Sequence, residues 1–484
     1  MDTVWEIRTT PNYVALPRRQ RSAIFRRVRR EMSLGELSIS GHVAWPRDPD
    51  WEQARAAWNL ASDRQPAAVA FVESAEDVTK VIDFASRHGL KVTGRGTGHG
   101  AVAIGALEQT ILIKTERMRG IEIDEGARAA RVEAGVLALE LGAACTERGL
   151  CSMPGSAPDV GVIGYTLGGG LSWLGRRYGF ACNRVTAIEL VTADGERRRV
   201  DAEHDSDLFW ALRGGGGCYA IVTALHVALL PVADLYAGIM IFPAELGVGA
   251  IRAYRDWTTT APEDVTSIVR FLRPPPLPDV PEPLRDRPLI TIDAAFIGEQ
   301  AAGERLLAPL REIGEPIIDT FAQIPAEALS KIHMDPEQPV PGLGHHALIS
   351  ELPDEAIDAF VGAVGPDAGS PLLLAELRHI GGALGRAGDN PGALTKLDAD
   401  FLMFAIGMPM TPELGQAIDG YLDHLDETMT PWRADGGYFN FAERSCGIDA
   451  ILPADTHEKL LAVKRRWDPD GIISANHELT VAPL

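Results

Sequence analysis

The sequence predicts an α+β protein of two domains, with a C-terminal segment that returns to the first. Three observations carry this reading. The 484 residues exceed one ordinary domain. Short β-branched runs alternate with capped amphipathic segments through the first half. Glycine is unevenly spread: 23 of the 49 glycines fall between Gly94 and Gly217, after which the clusters stop and a proline-rich stretch appears. The boundaries this suggests are 1–232, 233–434 and 435–484.

In chain order, Ala68 to Val72 reads as a strand, and Ser74-Ala75-Glu76-Asp77 opens a helix with Val78, Val81 and Ile82 inward, stopped by Gly89. Lys91 to Thr93, Ile111 to Ile113 and Ala130 to Glu133 are further strands, and Leu137 to Arg148 is a helix closed by Gly149. Ile188 to Thr192 turns through Asp194-Gly195 into Arg197 to Val200, a hairpin. Strands at Ser267 to Leu272 and Leu289 to Ala295 flank the prolines, making them a long hairpin loop; capture of a proline-binding partner is the alternative. A last helix, Asp455 to Trp467, stops at Asp468-Pro469-Asp470-Gly471.

Composition narrows the function. A net charge of −21, from 46 Lys+Arg against 67 Asp+Glu, opposes binding to phosphate backbones, so no nucleic-acid partner is expected. Five scattered cysteines (Cys145, Cys151, Cys182, Cys218, Cys446) without a CxxC pair fit a reducing cytoplasm better than disulfides or a zinc site. Arg18-Arg19 leads into Ile24 to Arg30, which reads as a basic amphipathic helix, not an export signal. The longest apolar stretch, Ala220 to Phe242, is broken by His226, Pro231 and Asp234, so no membrane span is expected. His345-His346 reads as an exposed loop, and no metal is expected.

Three glycine-rich segments carry the chemistry. Gly94-Arg95-Gly96-Thr97-Gly98-His99-Gly100 follows a strand, and its alternating glycines let backbone N–H groups converge on an anion such as a pyrophosphate. It fits neither the Rossmann fingerprint nor a Walker loop. Pro154 to Gly170 and Asp207 to Gly217 add two more surfaces of small residues. A dinucleotide lying along all three explains them more simply than three unrelated turns.

In this order the segments resemble the FAD-binding module of the vanillyl-alcohol-oxidase/PCMH superfamily, in its berberine-bridge-enzyme-like branch. Trp58-Asn59, Gln65 to Val69, Gly381-Gly382-Ala383, Tyr438-Phe439-Asn440 and Trp467-Asp468-Pro469 extend the likeness over nearly the whole chain. The resemblance implies a PCMH-type FAD-binding domain (core about 62–232) and an α+β substrate domain with an antiparallel sheet. It implies cofactor contacts from Arg95, Gly96, Thr97, Gly98, His99 and Gly100; from Pro154, Gly155, Ser156, Val160, Gly161, Gly164, Tyr165 and Gly169; from Ile221; and from Tyr438, Asn440 and Asn476. His99 would bond covalently to the flavin. A second link through cysteine is not implied, since the matching residue is Ala157. A small residue at Val160 is associated with oxidases. Tyr165 stands where some relatives have His, and Asn183-Arg184 replaces the usual Asp-Asn.

The resemblance places Tyr438 as the base for the substrate proton. Its phenol, ordinarily near pH 10, would need its pKa lowered. Strand alternation puts Glu376 and Arg378 on one face and Leu377 and His379 on the other. In this family one face of that strand lines the substrate pocket, so Glu376 and Arg378 join the catalytic candidates. The implied activity is an oxidase that removes hydride from a C–OH or C–NH carbon of a small molecule and passes electrons to oxygen. A dehydrogenase or oxygenase on the same fold, or a flavin-binding protein without turnover, are the alternatives.

Overall fold

The computed structural model describes residues 37–276, 281–285, 287–477 and 479. The basic segment at 18–30 lies outside them, as does part of the proline loop.

The first sheet is β1 (His42–Ala44), β2 (Ala68–Phe71), β3 (Lys91–Arg95) and β4 (Thr110–Lys114), in the order β1-β2-β4-β3. Strands β2, β4 and β3 are parallel, and the two inner ones, β2 and β4, are buried completely. The crossover helix Ala75–His88 forms where the capping sequence predicts: Ser74 Oγ accepts from the Asp77 N–H at 3.2 Å, and Gly89 ends it at φ +65°. Val78, Val81 and Ile82 are fully buried against the sheet.

The second sheet is antiparallel: β5 (Ile121–Asp124), β6 (Ala129–Glu133), β7 (Val185–Val191), β8 (Arg197–Asp201) and β9 (Ile221–Ala228), in the order β5-β6-β9-β7-β8. The hairpin β7–β8 turns at Gly195 (φ +79°) as the Asp-Gly pair requires.

The third sheet has eight antiparallel strands: β10 (Asp234–Pro243), β11 (Val265–Leu272), β12 (Leu289–Phe296), β13 (Ile318–Asp319), β14 (Ala322–Pro325), β15 (Leu343–Ile349), β16 (Leu374–His379) and β17 (Phe401–Gly407). Helices Gly247–Thr258, Gln300–Arg311, Asp354–Val364 and Pro412–Met429 pack on one another and on this sheet. Their apolar faces share a core with Leu377, Met403 and Ala405 of β16 and β17. Because side chains alternate, Glu376, Arg378 and Phe404 point away from those helices towards the first half of the chain. His345 and His346 lie within β15, not in an exposed loop. His345 Nε2 sits 2.7 Å from Asp426, and His346 is half-buried, its Nε2 accepting from the Tyr438 N–H at 2.8 Å.

The chain's end runs back to β3. Ser474 N donates to Val92 O at 2.9 Å, beside a bridge between Ile473 and Val92. Lys464 holds this arrangement from inside. Its buried ammonium donates to Cys218 O (2.6 Å) and Ile473 O (2.7 Å) and pairs with Asp468, which itself accepts from Ile472 N and Ile473 N. Lys464→Met leaves Asp468 buried without its cation. It should lower stability by about 3–5 kcal/mol in denaturant titration and expose the amides of 472–474 to hydrogen exchange.

Candidate active site

A cavity of about 500 Å³ lies between the two halves of the chain. One wall is the glycine backbone: Gly94 to Gly100, Pro154 to Ala157, Val160 to Gly168 and Gly215 to Gly217. The other comes from the eight-stranded sheet and its loops, with His333, Asp335, Glu376, Arg378 and Phe404. Asn440, Phe441 and Glu443 close it together with Asn476.

The glycine wall has room for a flat ligand. A Cβ at Gly164 would meet nothing within 4 Å, and one at Gly96 or Gly161 would meet only ordinary contacts at 3.8 Å or more. Side chains there would project into the cavity. Arg95 is buried beside this wall and carries no carboxylate partner; its Nη1 donates to Arg55 O at 3.0 Å, and burial lowers its pKa to about 10. A buried, unpaired guanidinium against converging backbone N–H groups suits a pyrophosphate.

His99 stacks on Trp58, with ring centroids 3.9 Å apart. Its Nε2 approaches Asp159 Oδ1 at 3.2 Å, but off the line of a hydrogen bond, so both atoms lack one. Trp58 Nε1 donates to the other Asp159 oxygen. Burial alone would raise the Asp159 carboxyl; His99 and Trp58 outweigh it and hold the pKa below its usual value.

The opposite wall is a network of paired charges. His333 Nδ1 donates to Asp293 (2.5 Å), so Nε2 accepts from Arg270 Nη1 (2.8 Å). Arg378 Nε donates to Glu376 Oε1 at 2.5 Å, and its guanidinium lies 4.8 Å from the centre of the Phe441 ring. Burial would raise Glu376, but Arg378 and His333 overcome it and hold the carboxyl at about 2. Its second oxygen has no hydrogen-bond partner. Asp335 accepts from Ser156 Oγ at 2.8 Å, which joins the two walls.

Most expected site residues meet at this cavity: Arg95 to Gly100, Pro154 to Ser156, Val160, Gly161, Gly164, Tyr165, Ile221, Glu376, Arg378, Asn440 and Asn476 all line it. Gly169 and Tyr438 do not. A Cβ at Gly169 would lie 2.6 Å from Leu394 and 3.0 Å from the Tyr438 ring, so this glycine admits a protein side chain. Tyr438 is fully buried beside Phe180 and Phe441, its hydroxyl has no partner, and burial drives its pKa far above 10. A phenol in that setting is a poor base.

Trp58, Asp159, His333, Asp335 and Glu443 escaped the sequence reading as site residues. Trp58 carries the family resemblance with Asn59, but nothing in its position 41 residues before His99 marks its stacking on that ring. Glu443 follows Asn440 by three, and nothing in that spacing marks its environment.

Orphaned polar atoms at His99 Nε2, Tyr165 Oη and Asn440 Oδ1, the unpaired Arg95 and the bare glycine wall together fit an FAD. Comparison with known proteins agrees. Residues 66–201 match the FAD binding domain family. The chain is 26% identical over 467 residues to (R)-6-hydroxynicotine oxidase of Paenarthrobacter nicotinovorans, covering 92% of this chain and 97% of that protein. The structure of BBE-like 1 from Physcomitrella patens superposes with a TM-score of 0.81 at 18% identity, over 92% and 98% of the two chains. That of glucooligosaccharide oxidase from Acremonium strictum, described with a 6-S-cysteinyl, 8α-N1-histidyl FAD, does so with a TM-score of 0.74 at 20% identity, over 90% and 96%. Residues 66–201 are an FAD binding domain, and the fold of the chain is that of the berberine-bridge-enzyme-like structures. The protein is an FAD-dependent oxidoreductase. Among the described residues no helix is long and apolar enough to cross a membrane.

Gly164→Val tests the wall. Its side chain enters open cavity space, so the variant should fold with unchanged far-UV circular dichroism and carry little flavin absorbance near 450 nm. Full flavin loading would show that this backbone does not face the cofactor.

Proposed function

We propose that the protein is an oxidase with FAD attached through His99, and that it oxidises a C–OH or C–NH carbon of a small molecule. The observation that carries this is a single cavity with a bare glycine wall on one side and a polar cluster from the eight-stranded sheet on the other. In this reading residues 1–232 hold the cofactor, 233–434 face the substrate, and 435–484 close the cofactor side. Bound there, FAD supplies a two-electron acceptor that takes hydride from the substrate and passes the electrons to oxygen, giving hydrogen peroxide.

The protein's own part is binding, orientation and proton transfer. Arg95 and the N–H groups of Gly96 to Gly100 hold the pyrophosphate. Asp159 beside Nε2 and Trp58 against the ring fix the imidazole of His99, leaving Nδ1 for attachment. Alanine at 157 supports one covalent link, and the small Val160 on the cavity supports access for oxygen. Arg378, held by Glu376, orients the substrate. A carboxyl at about 2 is too weak a base for a proton of low acidity, so the Glu376–Arg378 pair positions the substrate and does not deprotonate it.

Acid-precipitated protein should stay yellow, and His99→Ala should release its flavin on precipitation; flavin freed from the native protein would refute attachment. Oxidase turnover should give one peroxide per substrate oxidised, whereas a dehydrogenase gives none. Because the Tyr438 hydroxyl bonds to nothing, Tyr438→Phe should change the anaerobic rate of flavin reduction by less than about threefold. A loss in the ~10²–10⁴ range would restore it as the base.

A further inference from the structure

Glu443 differs from every other carboxylate at the cavity. Asp159 has His99 and Trp58, Glu376 has Arg378, and Asp335 has Ser156. Glu443 lines the cavity with no ion pair; its one hydrogen bond is a long one, 3.4 Å, from Asn59 Nδ2. That amide is already committed to Gly342 O at 3.1 Å. Glu443 is half-buried at the cavity wall, and desolvation there pushes its pKa up to about 8. Its stem lies beside Phe404, which meets Phe441 edge to face with ring centroids 4.9 Å apart. Leu374, Ile406 and Met408 continue the apolar lining from the same sheet.

A carboxylate with no ion pair beside apolar walls lacks one thing, a cation. Of the other charges on this wall, Arg378 is paired with Glu376 and His333 with Asp293, and Asp335 accepts from Ser156. A single basic nitrogen on an apolar or aromatic body would find both its counter-charge and its wall. We propose that Glu443 is a catalytic residue that pairs with the ammonium of an amine substrate carried on an apolar body and accepts its N–H proton.

The step balances. Substrate R₂CH–NH₂R′⁺ gives one N–H proton to the Glu443 carboxylate, which becomes the neutral acid. The C–H bond breaks with its electron pair leaving as hydride to the bound flavin, and the substrate departs as the iminium R₂C=NHR′⁺. Two electrons leave the substrate and two enter the cofactor. This deepens the oxidase reading and rests on it for the hydride step, but the binding of a cation does not.

The elements around Glu443 carry few competing titrations. His346 on β15 is held neutral by burial, with a pKa of about 3, and His477 is likewise lowered. Arg444, the next residue, is paired with Asp419 and Asp423, and Arg378 with Glu376. Glu443 must lose its proton to receive a cation, so affinity for a permanent cation should rise with pH up to about 8 and level off above it.

The test uses flavin-loaded protein and two probes of one shape, benzyltrimethylammonium and its neutral carbon isostere neopentylbenzene, titrated by calorimetry and flavin absorbance. Expected is a dissociation constant for the cation that falls up to about tenfold per pH unit between pH 6 and 8, with the neutral probe weaker at pH 8 and insensitive to pH. Glu443→Gln should bind the cation at least roughly tenfold more weakly at pH 8 with a flat pH profile. It should also slow anaerobic flavin reduction by amines at unchanged flavin content. A flat wild-type profile, equal binding of the two probes, or unaltered cation binding by Glu443→Gln would overturn the proposal. A protein that binds the cation as expected but reduces no flavin with any amine would refute the oxidase reading and Glu443's catalytic role together, leaving only a cation site.

Discussion

The cavity depends on one reciprocal pair of hydrogen bonds. The amide of Asn59 donates to Gly342 O at 3.1 Å and accepts from Gly342 N at 2.9 Å, across 283 positions of sequence. Both residues line the cavity, and Asn59 is 2% exposed, so neither bond can be exchanged for bulk water. The pair sets the head of β15 against the segment that carries Trp58. Trp58 in turn supports the ring of His99, and the same amide reaches Glu443. The attachment histidine and the orphan carboxyl are therefore positioned from one point. A second cross-link, the buried Arg176 donating to the carbonyls of Ile380, Pro262 and Val265, holds the far side of the same junction.

Glycine serves two purposes here that composition alone does not separate. Gly96, Gly161 and Gly164 leave space empty on the cavity side. Gly168, Gly169 and Gly170, only a few residues on, leave space that the protein itself fills: Asn440 lies 2.3 Å from where a Cβ of Gly168 would be, Leu394 2.6 Å from that of Gly169, and Ala181 2.5 Å from that of Gly170. The positive φ of Gly169 and Gly170 adds a backbone reason for the same residues. A run of small residues thus marks close approach without saying what approaches. That is why the glycine segments can be read as a ligand surface from sequence, while nothing in the sequence separates Gly169, which admits Leu394 and Tyr438, from its neighbours.

Local chemistry was the most readable part of the fold. The Ser74 cap, the Gly89 stop, the Asp194-Gly195 hairpin and the alternation of Glu376, Leu377 and Arg378 are each decided by neighbours in sequence, and each is where the pattern puts it. His346 shows the limit. Two adjacent histidines read as exposed polar residues, yet β15 is an edge strand of the sheet, and only the main-chain N–H of Tyr438, 92 residues away, turns the His346 ring inward. Tyr438 shows the same limit: a phenol's pKa is set by what surrounds it, and here that is Phe180, Phe441 and a glycine.

The two glutamates of the cavity carry this furthest. Glu376 is fully buried and Glu443 half-buried, and burial acts on both in the same direction. Glu376 stands two residues from an arginine on the same strand face, so its counter-charge comes with the local sequence and its carboxyl is held ionised. Arg444 is adjacent to Glu443 but points outwards to Asp419 and Asp423, so adjacency in sequence supplies no counter-charge in space. The environments therefore drive two identical side chains in opposite directions, one fixed as an anion and the other poised to change charge near neutral pH. Such a separation assigns different work to the two groups: the anion fixes Arg378 and with it the pocket's shape, while the poised acid is the one able to exchange a proton with whatever enters.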